Sequence, residues 1–138
     1  LCLGERSDVS YDGLVYKDYA SLVSAAGGHA PAFVKIDIEG FEFHALQAIV
    51  LSAEEHARTR KVDIMPTQLA VEFHLNVLPW AWGTFSSRDL LAYFNFLFAR
   101  GGYVVAHKRG NPRCPWCAEL LLVRVACPPP PPPSSRKQ

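Results

Sequence analysis

Long apolar runs are missing from this chain of 138 residues. No stretch approaches the roughly 20 residues that a bilayer-spanning helix needs, so none is expected. No secretory signal is visible at the start. Excess charge of one sign is missing too: 14 Lys and Arg stand against 13 Asp and Glu, for a formal net charge of +1. Such a balance gives no signal for nucleic acid or for a membrane surface. Cysteine is sparse. The four present, including Cys114, Cys117 and Cys127, do not make a disulfide-rich scaffold. No internal repeat is evident. What is there is 49% hydrophobic, enough for a real core and against wholesale disorder. The length fits one domain or a piece of a larger one. The first residue is leucine rather than methionine, and a fragment is the expectation.

The chain is organised around Phe33-Val34-Lys35-Ile36-Asp37-Ile38-Glu39-Gly40. A strand is expected over 32–38. Alternation puts Phe33, Lys35, Asp37 and Glu39 on one side and Val34, Ile36 and Ile38 on the other. Two carboxylates at a strand's C-terminal end are costly inside a core. They make sense where parallel strands open onto a ligand crevice.

Other elements follow from periodicity and punctuation. Leu1 to Leu3 reads as the tail of a strand, and Gly4 to Gly13 as a loop. A helix is expected over 16–26, stopped by Gly27-Gly28. A second helix starts near Gly40 with a core face of Leu46, Ile49, Val50 and Ala53. The capping box at Ser52-Ala53-Glu54-Glu55 offers it a point to break and restart. Gln68 to His74 is a second strand. Residues 76–85 form an irregular loop. Ser86 or Ser87 caps a third helix with a buried stripe of Leu90, Leu91, Phe94, Leu97 and Phe98, ended by Gly101-Gly102. Strands at 103–107 and 118–125 flank a turn-rich connection from Arg109 to Cys117. The six prolines at 128–133 give a polyproline II tail that cannot join a sheet. Residues 1–126 thus read as one partial α/β domain and 127–138 as a disordered Pro-rich tail. Strands alternating with helices imply a parallel sheet covered on both faces, and the last two strands an antiparallel hairpin attached to it.

Glu72 and His74 repeat on the second strand the pattern of Asp37 and Glu39 on the first. If these strands are neighbours, about 4.8 Å apart, four ionisable groups converge. A carboxylate beside a histidine can act as base and orienter. The same set can also hold a divalent metal. No ligand spacing here is diagnostic of one, so no metal is assigned. The alternative is a set of solvated or helix-capping side chains. Cys114-Pro115-Trp116-Cys117 leads into a strand rather than a helix, which argues against a redox motif. With His107 and Cys127 it could complete a zinc site. A hairpin connection, closed by a disulfide in an oxidising compartment, is the reading preferred. His29, His44 and His56 read as surface residues. Trp80 and Trp82 either line a substrate wall, as aromatics stack on sugars and rings, or pack their own loop.

Val34-Lys35-Ile36-Asp37-Ile38-Glu39-Gly40-Phe41-Glu42 resembles the K-I-D-[IV]-E-G-x-E motif of FkbM-type S-adenosylmethionine-dependent methyltransferases. Gln68 to His74 is similar to that family's next strand with its E-x-H ending. Asn111 and Cys114 to Glu119 resemble the C-terminal region of related methyltransferase-like proteins. The resemblance covers roughly residues 14 to 125. It implies a Rossmann-like class I methyltransferase sheet and S-adenosylmethionine as cofactor. It further implies O-methyl transfer to a hydroxyl of a small molecule or glycan. Asp37 would contact the cofactor and orient or deprotonate the acceptor. Glu39, Glu72 and His74 would complete the catalytic set, and Trp80 and Trp82 would meet the substrate. Members bind the cofactor chiefly through a glycine-rich turn after the first strand, and no such turn occurs here. The expectation is therefore the C-terminal half of the domain, partnered by a missing N-terminal half. The alternative is a non-catalytic remnant or interaction module that keeps the fold.

Overall fold

A computed structural model gives the fold and describes residues 2–3, 9–11, 14–75 and 86–125. Its centre is a mixed sheet of four strands with three helices, an α/β fold. Three short strands come first: β1 (Cys2–Leu3), β2 (Val9–Tyr11) and β3 (Leu14–Lys17), paired in the order β1-β3-β2. Then follow α1 (Tyr19–Ala25), β4 (Phe33–Ile36), α2 (Glu42–Arg60), β5 (Gln68–His74), α3 (Ser87–Gly101), β6 (Tyr103–Asn111) and β7 (Cys114–Arg124). The larger sheet runs β4-β5-β7-β6. β4 and β5 are parallel neighbours, with Phe33 opposite Gln68 and Ile36 opposite Val71. This is the pairing expected of strands joined by a helix. β5–β7 and β7–β6 are antiparallel. The closing hairpin thus lays its second strand, not its first, against the parallel pair.

The caps explain where the helices start and stop. The Asp18 carboxylate accepts the Ser21 N–H at the start of α1. Ser86 and Asp89 form a reciprocal capping box at the start of α3, satisfying two backbone donors that the first turn leaves free. Gly102, in the left-handed region at φ 72, ends α3 where a side chain would be strained. α2 runs unbroken from Glu42 to Arg60. Ser52 does not cap a restart; its hydroxyl accepts the Ala20 N–H and so ties α2 to α1.

Several sequence expectations are corrected. Tyr16 and Lys17 belong to β3, not to the first helix, and β2 lies within the segment read as a loop. β2 and β3 pair antiparallel with Tyr11 opposite Leu14, a local pairing that the Ser, Asp and Gly content of residues 4–13 masked, while β1 joins β3 from 14 residues away. Leu91 and Phe98 are exposed; of the expected stripe, Leu97 is buried and Leu90 and Phe94 pack half-buried against the core. Arg109 to Cys117 is no long connection. β6 and β7 extend to Asn111 and Cys114, leaving Pro112 and Arg113 as the turn. The sheet is mixed, a parallel pair with the antiparallel hairpin as expected, but its core lies on one side rather than on both faces. Ile36, Leu69, Val71, Phe73, Leu120 and Leu122 are buried with Leu46, Ile49 and Val50 of α2 and Leu97 of α3. Their sequence neighbours Lys35, Gln68 and Glu119 are exposed. The tail at 127–138 lies outside the described residues.

Tyrosine hydroxyls fasten the layers together. Tyr19 donates to the Ile64 carbonyl at 2.7 Å, Tyr103 to the Pro66 carbonyl at 2.6 Å and Tyr93 to the Phe43 carbonyl at 2.9 Å. Burial pushes all three phenols above the ordinary tyrosine value of 10.0. A group whose proton affinity is raised by folding stabilises the fold fully below its unfolded pKa and loses that contribution above it. Urea unfolding should therefore show stability declining from about pH 10 upward. A flat profile between about pH 10 and 12 would contradict the buried, hydrogen-bonded placement of these rings.

Candidate functional site

β4 and β5 run parallel, so their C-terminal ends open on the same side of the sheet. β4 stops at Ile36, and Asp37 and Ile38 lead into a turn. Asp37 continues the Lys35 side of the strand: Lys35 Nζ lies 3.5 Å from Asp37 Oδ2. Glu39 does not continue it. Its φ of 54 is left-handed, costly for a side-chain-bearing residue, and it swings the carboxylate back over β5. Gly40 follows at φ 103, a conformation glycine adopts without penalty.

The residue that organises this turn is Glu42. It is the first residue of α2, is fully buried, and follows Phe41, which has no side-chain cap to offer. One Glu42 oxygen accepts the Ile38 N–H at 3.1 Å, and both accept the Gly40 N–H at 3.1 Å. The same Oε1 stands 2.9 Å from Nδ1 of His74, itself buried. A carboxylate only accepts, so Nδ1 carries the hydrogen. Nε2 therefore points away from Glu42, and Glu39 Oε2 lies 3.4 Å from it. A carboxylate at a helix's first turn also suits the helix dipole.

The four residues singled out in the sequence meet, but not as one set. Asp37, Glu39 and His74 place ligand-type atoms within 4.8 Å of one another, and so do Glu72, His74 and Cys117. His74 is the shared member of two overlapping groups. Glu72 is half-buried, accepts a hydrogen bond from Asn111 Nδ2 at 2.7 Å and faces Glu119 across the β5–β7 ladder. The orienter of His74 is thus Glu42 rather than Glu72. Glu42 was not among the candidates, although it closes the acidic motif that begins at Asp37. Asn111 was missed because the turn was placed too early. His74 and Cys117 are register partners, and Leu75 N–H donates to the Trp116 carbonyl.

Cys114 and Cys117 form a disulfide with Cα atoms 5.2 Å apart. Both lie in β7 beside the Pro112-Arg113 turn, so the bond spans part of one strand and does not close the hairpin onto β6, and neither sulfur is a free thiolate for zinc. His107 is exposed on β6, and Cys127 lies outside the described residues. His29 and His44 are exposed and His56 half-exposed. Trp80 and Trp82 also lie outside the described residues. Among the described residues, no helix is long and apolar enough to cross a membrane.

Comparison with known protein families, curated proteins and solved structures finds no match.

Proposed function

We propose that this chain carries the acceptor side of an S-adenosylmethionine-dependent O-methyltransferase domain, acting on a hydroxyl of a small molecule or glycan. The observation that carries the reading is the buried Glu42–His74 pair, which aims Nε2 at the Asp37 and Glu39 carboxylates where two parallel strands end. Burying a carboxylate and an imidazole is expensive unless they are paired. Fixing an imidazole so that one nitrogen faces outward among carboxylates is what a site that binds and polarises a hydroxyl requires.

The cofactor would supply an electrophilic methyl group. The methyl group would pass from the cofactor sulfur to the acceptor oxygen, and the Asp37, Glu39 and His74 set would hold the acceptor hydroxyl and take up its proton. Transfer is an in-line displacement, so positioning carries much of the rate. Glu42 acts as a positioning residue through His74.

The edge of β4 agrees with an incomplete cofactor pocket. Among the described residues β4 bonds only to β5. Leu3, Leu22, Val34, Ile38 and Ala45 line a groove beside it. Further strands carrying a glycine-rich turn would extend the sheet there. A non-catalytic remnant would share the fold, but would have no need of a fixed imidazole facing two carboxylates.

The test is methyl transfer from labelled S-adenosylmethionine to hydroxylic acceptors by a form bearing such a turn. Asp37→Asn should lower turnover by about tenfold to a hundredfold with cofactor affinity and thermal stability nearly unchanged, since the Asp37 carboxylate is exposed. Unfolding by this substitution, without loss of activity per folded molecule, would make Asp37 a structural cap.

A further inference from the structure

The Nε2 atom of His74 raises a question that acceptor binding does not answer. The hydrogen on Nδ1 is committed to Glu42, so a neutral ring presents a lone pair at Nε2. What faces that lone pair is Glu39 Oε2 at 3.4 Å, with an Asp37 oxygen in the same cluster. Three electron donors converge there. The cation at hand is Lys35, whose ammonium is exposed and 3.5 Å from Asp37 Oδ2.

We propose that Asp37, Glu39 and His74 hold a divalent cation. Two carboxylates and one imidazole, with the remaining positions open to water or substrate, suit Mn2+ and its neighbours among the first-row metals. Ligands on adjacent corners of an octahedron with bonds of about 2.1 Å stand about 3 Å apart. The Nε2–Oε2 separation of 3.4 Å is already close to that. Both carboxylates are exposed and can close on an ion by side-chain rotation.

The second observation is the support behind the histidine. A metal-binding imidazole characteristically donates its other ring N–H to a carboxylate, which fixes the tautomer and the ring direction. Glu42 does this here from a fully buried position, anchored by the Ile38 and Gly40 N–H groups. The overlapping group of Glu72, His74 and Cys117 is the poorer candidate, because the Cys117 sulfur is bound in the disulfide and is no thiolate.

Binding of the ion stands apart from the transfer reaction; its role in catalysis rests on that reading. There the ion would bind the acceptor oxygen and ease loss of the hydroxyl proton to solvent water as the oxygen attacks. That assigns the activation of the hydroxyl to the cation and leaves the two carboxylates and His74 as ligands.

The experiment is titration of the 138-residue chain with Mn2+, followed by water-proton relaxation and by broadening of the histidine ring signals. One saturable site is expected, with His74 broadened before His29, His44, His56 and His107. Asp37→Asn and His74→Gln should each weaken binding at least tenfold, and Glu42→Gln by about 10- to 100-fold. Glu72→Gln should leave it unchanged. Absence of saturable binding up to about 1 mM Mn2+ by folded chain would overturn the site, as would equal binding by His74→Gln; either outcome leaves methyl transfer standing. Conversely, tight Mn2+ binding by a longer form that transfers no methyl group would keep the cation site and remove the transferase reading.

Discussion

Replacing Glu42 with alanine is expected to lower stability by about 3–5 kcal/mol, the range for breaking a buried charged pair. Three donors lose their acceptor at once: the Ile38 and Gly40 N–H groups and Nδ1–H of His74. A buried donor left unpaired costs about 1–3 kcal/mol, and water entering the turn would offset part of the sum. Glu42→Gln keeps one acceptor oxygen but turns an amide N–H toward groups that are themselves donors, so a loss of roughly 2 kcal/mol is expected. Urea unfolding of both variants measures the effect. If Glu42→Ala stays within about 1 kcal/mol of the parent, the carboxylate does not hold the turn, and the orientation of His74 needs another explanation.

Phe73→Ala is the second large effect, also about 3–5 kcal/mol. The ring is 1% exposed and sits among Phe43 at 5.1 Å, Phe94 at 5.7 Å and Tyr93 at 6.3 Å between centroids. These tilted and edge-on pairs add about 0.5–1.5 kcal/mol to the burial of area. The cavity left behind has helix α2 on one side and α3 on the other, both fastened by the Tyr93–Phe43 hydrogen bond, so collapse is resisted. Phe73→Leu keeps much of the volume and should cost under about 1.5 kcal/mol. A loss below about 1 kcal/mol for the alanine variant would mean that the aromatic cluster repacks freely.

The sequence made the order of elements from α1 to β7 legible because each is short-range. Leu46, Ile49, Val50 and Ala53 recur at helical spacing and are all buried. Gln68 to His74 has the bounds expected for β5. The parallel β4–β5 pair followed from the helix between them. What depended on distant partners did not show. Leu91 and Phe98 lie on a helix face that nothing covers among the described residues. β2 and β3 are a separate case: their pairing is local, Tyr11 opposite Leu14, and the Ser, Asp and Gly content of residues 4–13 read as a loop instead. The site was legible as a pair of acidic strand ends, and its residues do meet around His74. The role of Glu42 was hidden, because a glutamate at the start of a helix ordinarily reads as a favourable but exposed charge. Only the fold of the turn shows that it faces inward.

One consequence follows from the place of β5. It is bonded to β4 on one side and to β7 on the other. Phe73 points to the core, while Glu72 and His74 point the other way. A slip of one residue would exchange these two sets completely, exposing the phenyl ring and pushing both ionisable groups into hydrocarbon. The phase of a single strand thus encodes both the interior and the face that carries the candidate site. The candidate site and the fold cannot drift apart here: any molecule with a properly filled interior already has the His74 imidazole on the Glu42 side.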